Sequence, residues 1–312
     1  MTKHRQPLPD NLWHPRYWLL RIGFTFLRLA SLAPLSVQLW LGRRLGDLAH
    51  TLAASRRRIV DINLELCFPD WSNERRAGVR RAYFRNMGAS LFETASAWWR
   101  EDALFERIVS FQGQERVQAL RESGYRIILL TGHFSTLEIS GRFLRQIIPE
   151  FDAVYRPQRN PFTDSIIRRG RLRSARRLIE KADIRQMLRS LKEGVAVWYA
   201  PDQSYRRKYA ELIDFFGTPA MTNTATGRLA SLSGAKVVPV YCRRDGDTAH
   251  YIVEFLPPLT VDGADMEATT RAYIATLEQA VRQAPEQYFW IHRKFKGRPD
   301  GYPDVYAKTS AS

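Results

Sequence analysis

One stretch of the sequence decides the fold: Ile127-Ile128-Leu129-Leu130-Thr131-Gly132-His133-Phe134-Ser135-Thr136-Leu137-Glu138. Its first four residues are apolar and lie between Gly124 and Gly132, which is typical of a short buried strand. Apolar residues then recur at helical spacing until Pro149, which ends the pattern. The stretch therefore predicts that His133 lies at the turn from a strand into a helix.

A carboxylate, Glu138, follows His133 by five positions. Residues five apart in a regular helix do not share a face, but a histidine in the entry turn can fold back toward the helix. A carboxylate that accepts a hydrogen bond from one imidazole nitrogen leaves the other nitrogen free to take a proton from a hydroxyl. The alternative is a histidine that caps a core helix, with Glu138 in the first turn because the helix dipole favours it there.

The composition is that of a folded protein with an anionic partner. Of the 312 residues, 45% are hydrophobic and 26% are charged, which excludes a disordered chain. The two cysteines, Cys67 and Cys242, are too few for a disulfide framework or a zinc site and fit a reducing compartment. The net charge of +16 predicts binding to nucleic acid, phosphorylated lipid, a bilayer surface or an acidic protein.

The positive charge is concentrated in two stretches. Residues 1–58 contain ten Lys and Arg against two Asp, and residues 155–177 contain eight Arg against one Asp. The rest of the chain is nearly balanced. This distribution differs from the uniformly basic surface that wraps nucleic acid.

Residues 17–41 are mostly apolar and aromatic, interrupted by Arg21 and Arg28 on one helix face. They fit a membrane span with snorkelling arginines, a helix in the plane of the interface, or an ordinary buried helix. Tryptophan and arginine flank the segment, as is typical of interfacial anchors: Trp13, Trp18, Trp40, Arg43 and Arg44. We therefore expect residues 1–45 to form an N-terminal membrane anchor and residues 46–312 to form the enzymatic domain on the cytoplasmic side.

Strands and helices alternate from residue 126 onward. Short apolar runs predict strands at 126–130, 151–155, 195–199, 236–241 and 251–256. Helical spacing predicts helices from Pro161 onward and at 183–191, 222–233 and 266–283. A basic loop, residues 206–208, follows the third strand. This alternation predicts an α/β fold in which helices cover a sheet.

Polar residues gather after three of the predicted strands, at Gly132-His133, Tyr155-Arg156-Pro157 and Ala200-Pro201-Asp202. In open α/β sheets the active site lies at the carboxyl ends of the strands. Six arginines between 168 and 177 are predicted on the helix that begins at Pro161, where their guanidinium groups could bind phosphate. The alternatives are a solvated basic face for the arginines and a loop-capping role for Asp202.

Nucleophilic catalysis has no recognisable motif here. No Gly-x-Ser-x-Gly elbow is present, and neither cysteine lies near a histidine in a recognisable arrangement. Direct transfer to a substrate hydroxyl, without a covalent enzyme intermediate, is therefore the simpler mechanism.

Several blocks follow one another along nearly the whole chain: His14-Pro15-Arg16-Tyr17-Trp18, residues 63–69, residues 132–138, Tyr155-Arg156-Pro157-Gln158-Arg159-Asn160-Pro161, residues 170–174, residues 197–202 and Ala284-Pro285-Glu286-Gln287-Tyr288. Together they resemble the late acyltransferases of lipid A biosynthesis, the lauroyl acyltransferase group within a wider glycerolipid acyltransferase superfamily. The superfamily has a His-x4-Asp motif, and Glu138 replaces the Asp here.

The resemblance implies an enzyme at the cytoplasmic face of the inner membrane. It would move a fatty acyl chain, lauroyl in length, from acyl carrier protein to a hydroxyl on a Kdo-linked lipid A precursor. No metal, cofactor or nucleic acid is implied. An acyltransferase with a glycerophospholipid or other glycolipid acceptor is an alternative, and a non-enzymatic basic protein is another.

The resemblance also implies residue roles. His133 would deprotonate the acceptor hydroxyl, and Glu138 would orient the imidazole and balance its charge. The residues expected to contact substrate are Arg156, Asn160, Arg171, Arg173 and Asp202.

Overall fold

The computed structural model describes residues 13–205, 209–262 and 265–307. Residues 1–12 of the predicted anchor and the predicted basic loop at 206–208 lie outside the described residues. The predicted α/β class is confirmed: a mostly parallel sheet is covered by helices on both faces.

The N-terminal part is helical. After a short 3-10 turn at Pro15–Tyr17 come four helices: α1 (Trp18–Ala30), α2 (Leu35–Leu52), α3 (Ala54–Cys67) and α4 (Asn73–Trp99). Pro34 is the N-cap of α2 and separates it from α1, because a proline disfavours helical conformation in the residue before it.

The expectation of a transmembrane segment is not supported. The apolar stretch 17–41 divides between α1 and α2, and α2 continues through residue 45 to Leu52. Within the described residues, no helix combines the length and the apolar character needed to cross a bilayer. The division into an anchor and an enzymatic domain at residue 45 stays a prediction.

After α4 the chain contains both helices and strands. Its helices are α5 (Asp102–Glu106), α6 (Gln114–Glu122), α7 (Leu137–Ile147), α8 (Pro161–Arg171), α9 (Ile184–Lys192), α10 (Ala225–Ser233) and α11 (Met266–Gln283). Its strands are β1 (Val109–Gln112), β2 (Ile127–Leu130), β3 (Phe151–Tyr155), β4 (Arg177–Glu180), β5 (Ala196–Tyr199), β6 (Ala210–Phe215), β7 (Thr218–Asn223), β8 (Lys236–Arg244) and β9 (Tyr251–Phe255).

The main sheet has the strand order β1-β9-β8-β2-β5-β3-β4, and β6 and β7 form a separate hairpin. Neighbouring strands in the main sheet are parallel except β8 and β9. Strand β2 lies between β8 and β5, and all four of its residues are buried. Ile128 and Leu130 join the core under α10 and α11, whereas Ile127 and Leu129 join the core under α7. Because both faces of β2 are covered, its sequence is a continuous apolar run.

The arginine-rich stretch does not form one helix, so that prediction is wrong. Helix α8 ends at Arg171, and tight backbone bonds such as Arg173 N–H to the Gly170 carbonyl close its last turn. Arg176 N–H then donates to the Phe151 carbonyl, and the chain enters β4 beside β3. The guanidinium of Arg176 is paired with Asp152 and Glu193 instead of facing a ligand.

Helices α2 and α4 are packed backbone to backbone through glycines. A Cβ atom placed on Gly88 would lie 2.0 Å from the Gly42 carbonyl oxygen, and one on Gly46 would lie 2.3 Å from the Phe84 carbonyl oxygen. Both distances are too short for a real carbon, so side chains are excluded from this contact. The close packing fixes α4, whose last turn carries Trp98 toward the cavity described below.

We predict that Gly88→Ala destabilises the protein by about 1–3 kcal/mol, because the added methyl group must force α2 and α4 apart. Chemical denaturation monitored by circular dichroism measures this change. Gly78→Ala is the matched control on α4, since nothing lies within 4 Å of a Cβ there. It should be neutral or stabilising by up to about 1 kcal/mol, as alanine is the better helix former. Equal stability of the two variants would contradict the backbone contact.

Candidate active site

His133 lies at the turn between β2 and α7, as the sequence predicted. This strand-to-helix turn is held by the 3-10 turn Pro285–Gln287 and the residues just after it. Phe289 N–H donates to the His133 carbonyl at 2.9 Å, and Ser135 N–H donates to the Gln287 carbonyl at 2.7 Å. A Cβ on Gly132 would lie 2.5 Å from Leu277 Cδ1. Glycine at this position therefore lets the turn approach α11 closely.

The carboxylate that holds the imidazole belongs to Asp202. Its Oδ1 lies 2.5 Å from His133 Nδ1, and its Oδ2 accepts the His133 backbone N–H at 3.0 Å. The Asp202 side chain is 1% exposed and the His133 side chain is 28% exposed. With Nδ1–H donating to Asp202, the lone pair of Nε2 is available to accept a proton.

Two further groups surround the aspartate. Tyr288 Oη donates to Asp202 Oδ2 at 3.0 Å, and the buried Lys294 ammonium donates to the Asp202 backbone carbonyl at 2.5 Å. Burial alone would raise the pKa of the Asp202 carboxyl. His133 and Lys294 outweigh burial and hold this pKa below its usual value, so the group is a carboxylate at neutral pH.

Glu138 has different partners, so the predicted pairing of Glu138 with His133 is wrong. Arg171 donates to both Glu138 oxygens, at 3.0 Å and 3.2 Å from Nε and at 2.5 Å from a terminal nitrogen. Trp98 Nε1 donates to the same carboxylate at 3.1 Å. Glu138 lies in the first turn of α7, where its side chain meets α8 and the end of α4 instead of reaching back to His133.

Arg171 is therefore already engaged in an ion pair. Burial disfavours its charged form, but the Glu138 carboxylate more than offsets this effect and the pKa of the guanidinium is raised. The predicted contact of Arg171 with a phosphate or sugar carboxylate would have to form beside this pair.

His133 and the Glu138–Arg171 pair line the same cavity, which has a volume of about 540 Å³. Of the predicted substrate contacts, Arg156 and Arg171 line it. Asp202 does not line this cavity, and its side chain is 1% exposed and bonded to His133, so the structure does not support the predicted direct contact of Asp202 with substrate. Asn160 accepts the N–H groups of Phe162 and Thr163 as the N-cap of α8, and Arg173 donates to the Arg100 carbonyl. Neither of these last two lines the cavity, and their substrate contacts stay predictions.

Sequence reasoning missed Tyr288, Lys294 and His292. His292 lines the cavity, and its Nε2 accepts the Ser204 N–H at 3.1 Å. Burial, with the nearby Lys296 and Lys294, lowers the pKa of His292 to about 4, so the ring is neutral and can accept this bond. Asp202 and Tyr288 lie within blocks quoted in the sequence analysis. The adjacency of β2 and β5 in the sheet is what brings Asp202 to His133, and Tyr288 then donates to Asp202.

The arrangement suits proton transfer from a bound hydroxyl. His133 lines the cavity, Nε2 is the ring nitrogen not bonded to Asp202, and the buried carboxylate would stabilise the imidazolium formed when Nε2 accepts a proton. The cavity beside it is large enough for an extended ligand. The geometry alone specifies a base and a groove and does not name the substrate.

Comparison with known proteins identifies a family. The model for bacterial lipid A biosynthesis acyltransferases matches residues 7–297. A lipid A biosynthesis lauroyltransferase of Escherichia coli is 38% identical over 95% of this chain and 97% of its own. The palmitoleoyltransferase of the same organism is 34% identical over 94% and 96%, and its myristoyltransferase is 30% identical over 95% and 92%.

We predict that Asp202→Asn removes the carboxylate that accepts the His133 Nδ1–H, since an amide nitrogen facing Nδ1 can only donate, and that Glu138→Gln leaves this bond in place. The measurement is the low-field proton NMR resonance of the imidazole Nδ1–H, which a short bond to a carboxylate produces. Loss of the resonance in the Glu138 variant, with retention in the Asp202 variant, would show that the pairing described here is wrong.

Proposed function

This chain belongs to the bacterial lipid A biosynthesis acyltransferase family and is an O-acyltransferase. We propose that it transfers a fatty acyl chain of lauroyl length from acyl carrier protein to a hydroxyl of a Kdo-linked lipid A precursor. The observation that carries the proposal is the Asp202–His133 pair at the wall of a large cavity. The lauroyl length rests on the higher identity with the lauroyltransferase than with the other two relatives described above.

In this mechanism His133 Nε2 takes the proton of the acceptor hydroxyl. The oxygen attacks the thioester carbonyl carbon, the new C–O bond forms, and the C–S bond breaks. The imidazolium then returns the proton to the departing carrier thiolate. Asp202 stays ionised throughout and stabilises the positive ring. No covalent acyl-enzyme is required.

The mouth of the cavity is cationic, which suits both proposed substrates. Arg156 and Lys181 are exposed there, and Lys296 is half-buried in the same lining. Phosphates and sugar carboxylates of the acceptor are anionic, as is the acidic carrier protein that delivers the donor. Guanidinium and ammonium groups at the entrance attract such groups electrostatically.

We predict that His133→Ala lowers acyl transfer about 10²–10⁴-fold while the protein stays folded, because the general base is lost. Purified protein is given a lauroyl–carrier-protein thioester and a Kdo-linked precursor, and product is measured by mass spectrometry. Gln146→Ala, a change at an exposed position on α7 that does not line the cavity, is the control and should keep full activity. Full turnover by the His133 variant would overturn the assigned role. Transfer to a glycerophospholipid in preference to the lipid A precursor would overturn the acceptor.

The N-terminal helices are suited to lie on the inner membrane at its cytoplasmic face. Helix α1 has no buried residue, and Leu19, Ile22, Phe26 and Leu29 are each at least 60% exposed. A contiguous exposed apolar face of this kind marks an interaction surface. Arg44 on α2 is exposed, its guanidinium lies over the ring of the exposed Trp40, and it would face anionic headgroups. Contact in the plane of the membrane would bring the protein to its lipid acceptor.

We predict that Ile22→Glu together with Phe26→Glu lowers binding to anionic phospholipid vesicles at least tenfold. Each lost side chain contributes roughly 1.5 kcal/mol or more when buried in lipid, and about 1.4 kcal/mol is a tenfold change in affinity. Vesicle co-sedimentation of the full chain measures the effect. Leu232→Glu is the control, since Leu232 is 60% exposed on α10. Equal losses in both variants would refute an N-terminal membrane face.

A further inference from the structure

We infer that the buried end of the cavity holds the distal part of the acyl chain and that Gly141 on α7 sets the chain length that fits. The inference rests on the proposed function, and it adds a specificity-determining residue to it. It draws on the polarity of the cavity, the spacing along α7, and the space around Gly141.

The cavity changes character from one end to the other. Its exposed end carries Arg156, Gln158 and Lys181. Its buried end is lined by small and aromatic groups that include Phe151, Ala153 and Ala175, which are 0%, 6% and 5% exposed. A charged or sugar group would lose its hydration at the buried end without gaining partners, whereas a hydrocarbon chain gains free energy there.

Helix α7 runs along the cavity wall from the catalytic turn. Leu137, Glu138 and Gly141 line the cavity, and residues three and four apart share a helix face. Gly141 therefore lies about 4.5 Å beyond Glu138 along the helix axis. The wall thus leads from His133 at the start of α7 to Gly141 one turn further on.

Along α7 the lining of the cavity ends at Gly141. The next residues on that face, Leu144 and Arg145, do not line it. Leu144 is buried in the core, and Arg145 donates to the Arg173 carbonyl at 2.9 Å, a bond that joins α7 to the turn after α8. We therefore place the end of the acyl site at Gly141.

Gly141 leaves little room for a side chain. A Cβ there would lie 3.1 Å from Ser174 Cβ, 3.2 Å from Ser174 Oγ and 3.6 Å from Trp198 Cζ3. The two Ser174 contacts are tight, so Ser174 must shift by a few tenths of an ångström to admit an alanine, and the added methyl group takes up space at this wall of the cavity. Gly170 also lines the cavity, but its Cβ would lie 2.2 Å from Trp98 Cγ and would disturb the Glu138 pair. Gly141 is therefore the position at which a substitution can change the accepted acyl chain length without disturbing the Glu138 pair.

The experiment compares the full-length protein with Gly141→Ala and Gly141→Val on saturated acyl–carrier-protein thioesters from octanoyl to palmitoyl in two-carbon steps. We expect the preferred chain to shorten by one step in Gly141→Ala, with the ratio between neighbouring lengths changing about tenfold or more. Gly141→Val should shorten it further. Alanine also favours the helix, so loss of folding is not expected from the backbone.

A double variant makes the test specific. Ser174→Gly removes both Ser174 atoms that a Cβ at 141 would meet, so Gly141→Ala with Ser174→Gly should recover the parental length preference. Gly78→Ala on α4, where a Cβ meets nothing within 4 Å, is the control and should leave the profile unchanged. An unchanged length profile in Gly141→Ala and Gly141→Val, at normal turnover, would overturn the inference.

The inference and the proposed function can fail separately. If the parental protein transfers none of the chains, the proposed function fails. Length selection is then measured by displacement of a fluorescent fatty acid with saturated fatty acids of increasing length. A shorter optimum for Gly141→Ala than for the parent supports the inference, and the same optimum for both contradicts it.

Discussion

The structure depends on one hydrogen bond, from the His133 imidazole to the buried Asp202 carboxylate. A carboxylate that is 1% exposed must be paired, or the free energy of folding rises steeply. The cluster is assembled from three separate regions: Asp202 lies in the segment after β5, and its partners lie at the end of β2 and in the C-terminal segment that carries Tyr288 and Lys294. The fold must therefore bring all three together before the imidazole can be oriented.

This requirement explains which parts of the molecule the sequence could predict. Strand β3 and helix α11 have the predicted bounds. Both are marked by local signals in the sequence: β3 is an apolar run bounded by turn-forming residues, and α11 has apolar residues at helical spacing over many turns. Strand β4 and the β6–β7 hairpin were missed, since arginine in β4 and Pro219 in β7 are not typical of strands. The partner of His133 was also missed. Proximity in sequence favoured Glu138, whereas Leu130 pairs with Tyr199 across two parallel strands and brings Asp202, 69 positions away, to the ring.

Helix α8 connects the parts of the proposed enzyme. At its start, Phe162 stacks against Tyr17 with ring centroids 5.2 Å apart, next to the exposed apolar helix α1. At its end, Arg171 holds Glu138 on the cavity wall. Glu138 therefore stabilises the cavity wall through Arg171 and does not hold the His133 imidazole. If α1 contacts a membrane as proposed, this link would relate the position of that helix to the position of the cavity.

Asp202 is proposed to act on the reaction only through His133. A double-mutant cycle on kcat for acyl transfer tests this dependence, using Asp202→Asn, His133→Ala and the two combined. We expect Asp202→Asn to have little further effect on kcat once His133 is replaced, so that the losses are strongly non-additive. Losses in kcat that multiply fully in the double variant would show that the two side chains act independently, and that Asp202 does not act through His133.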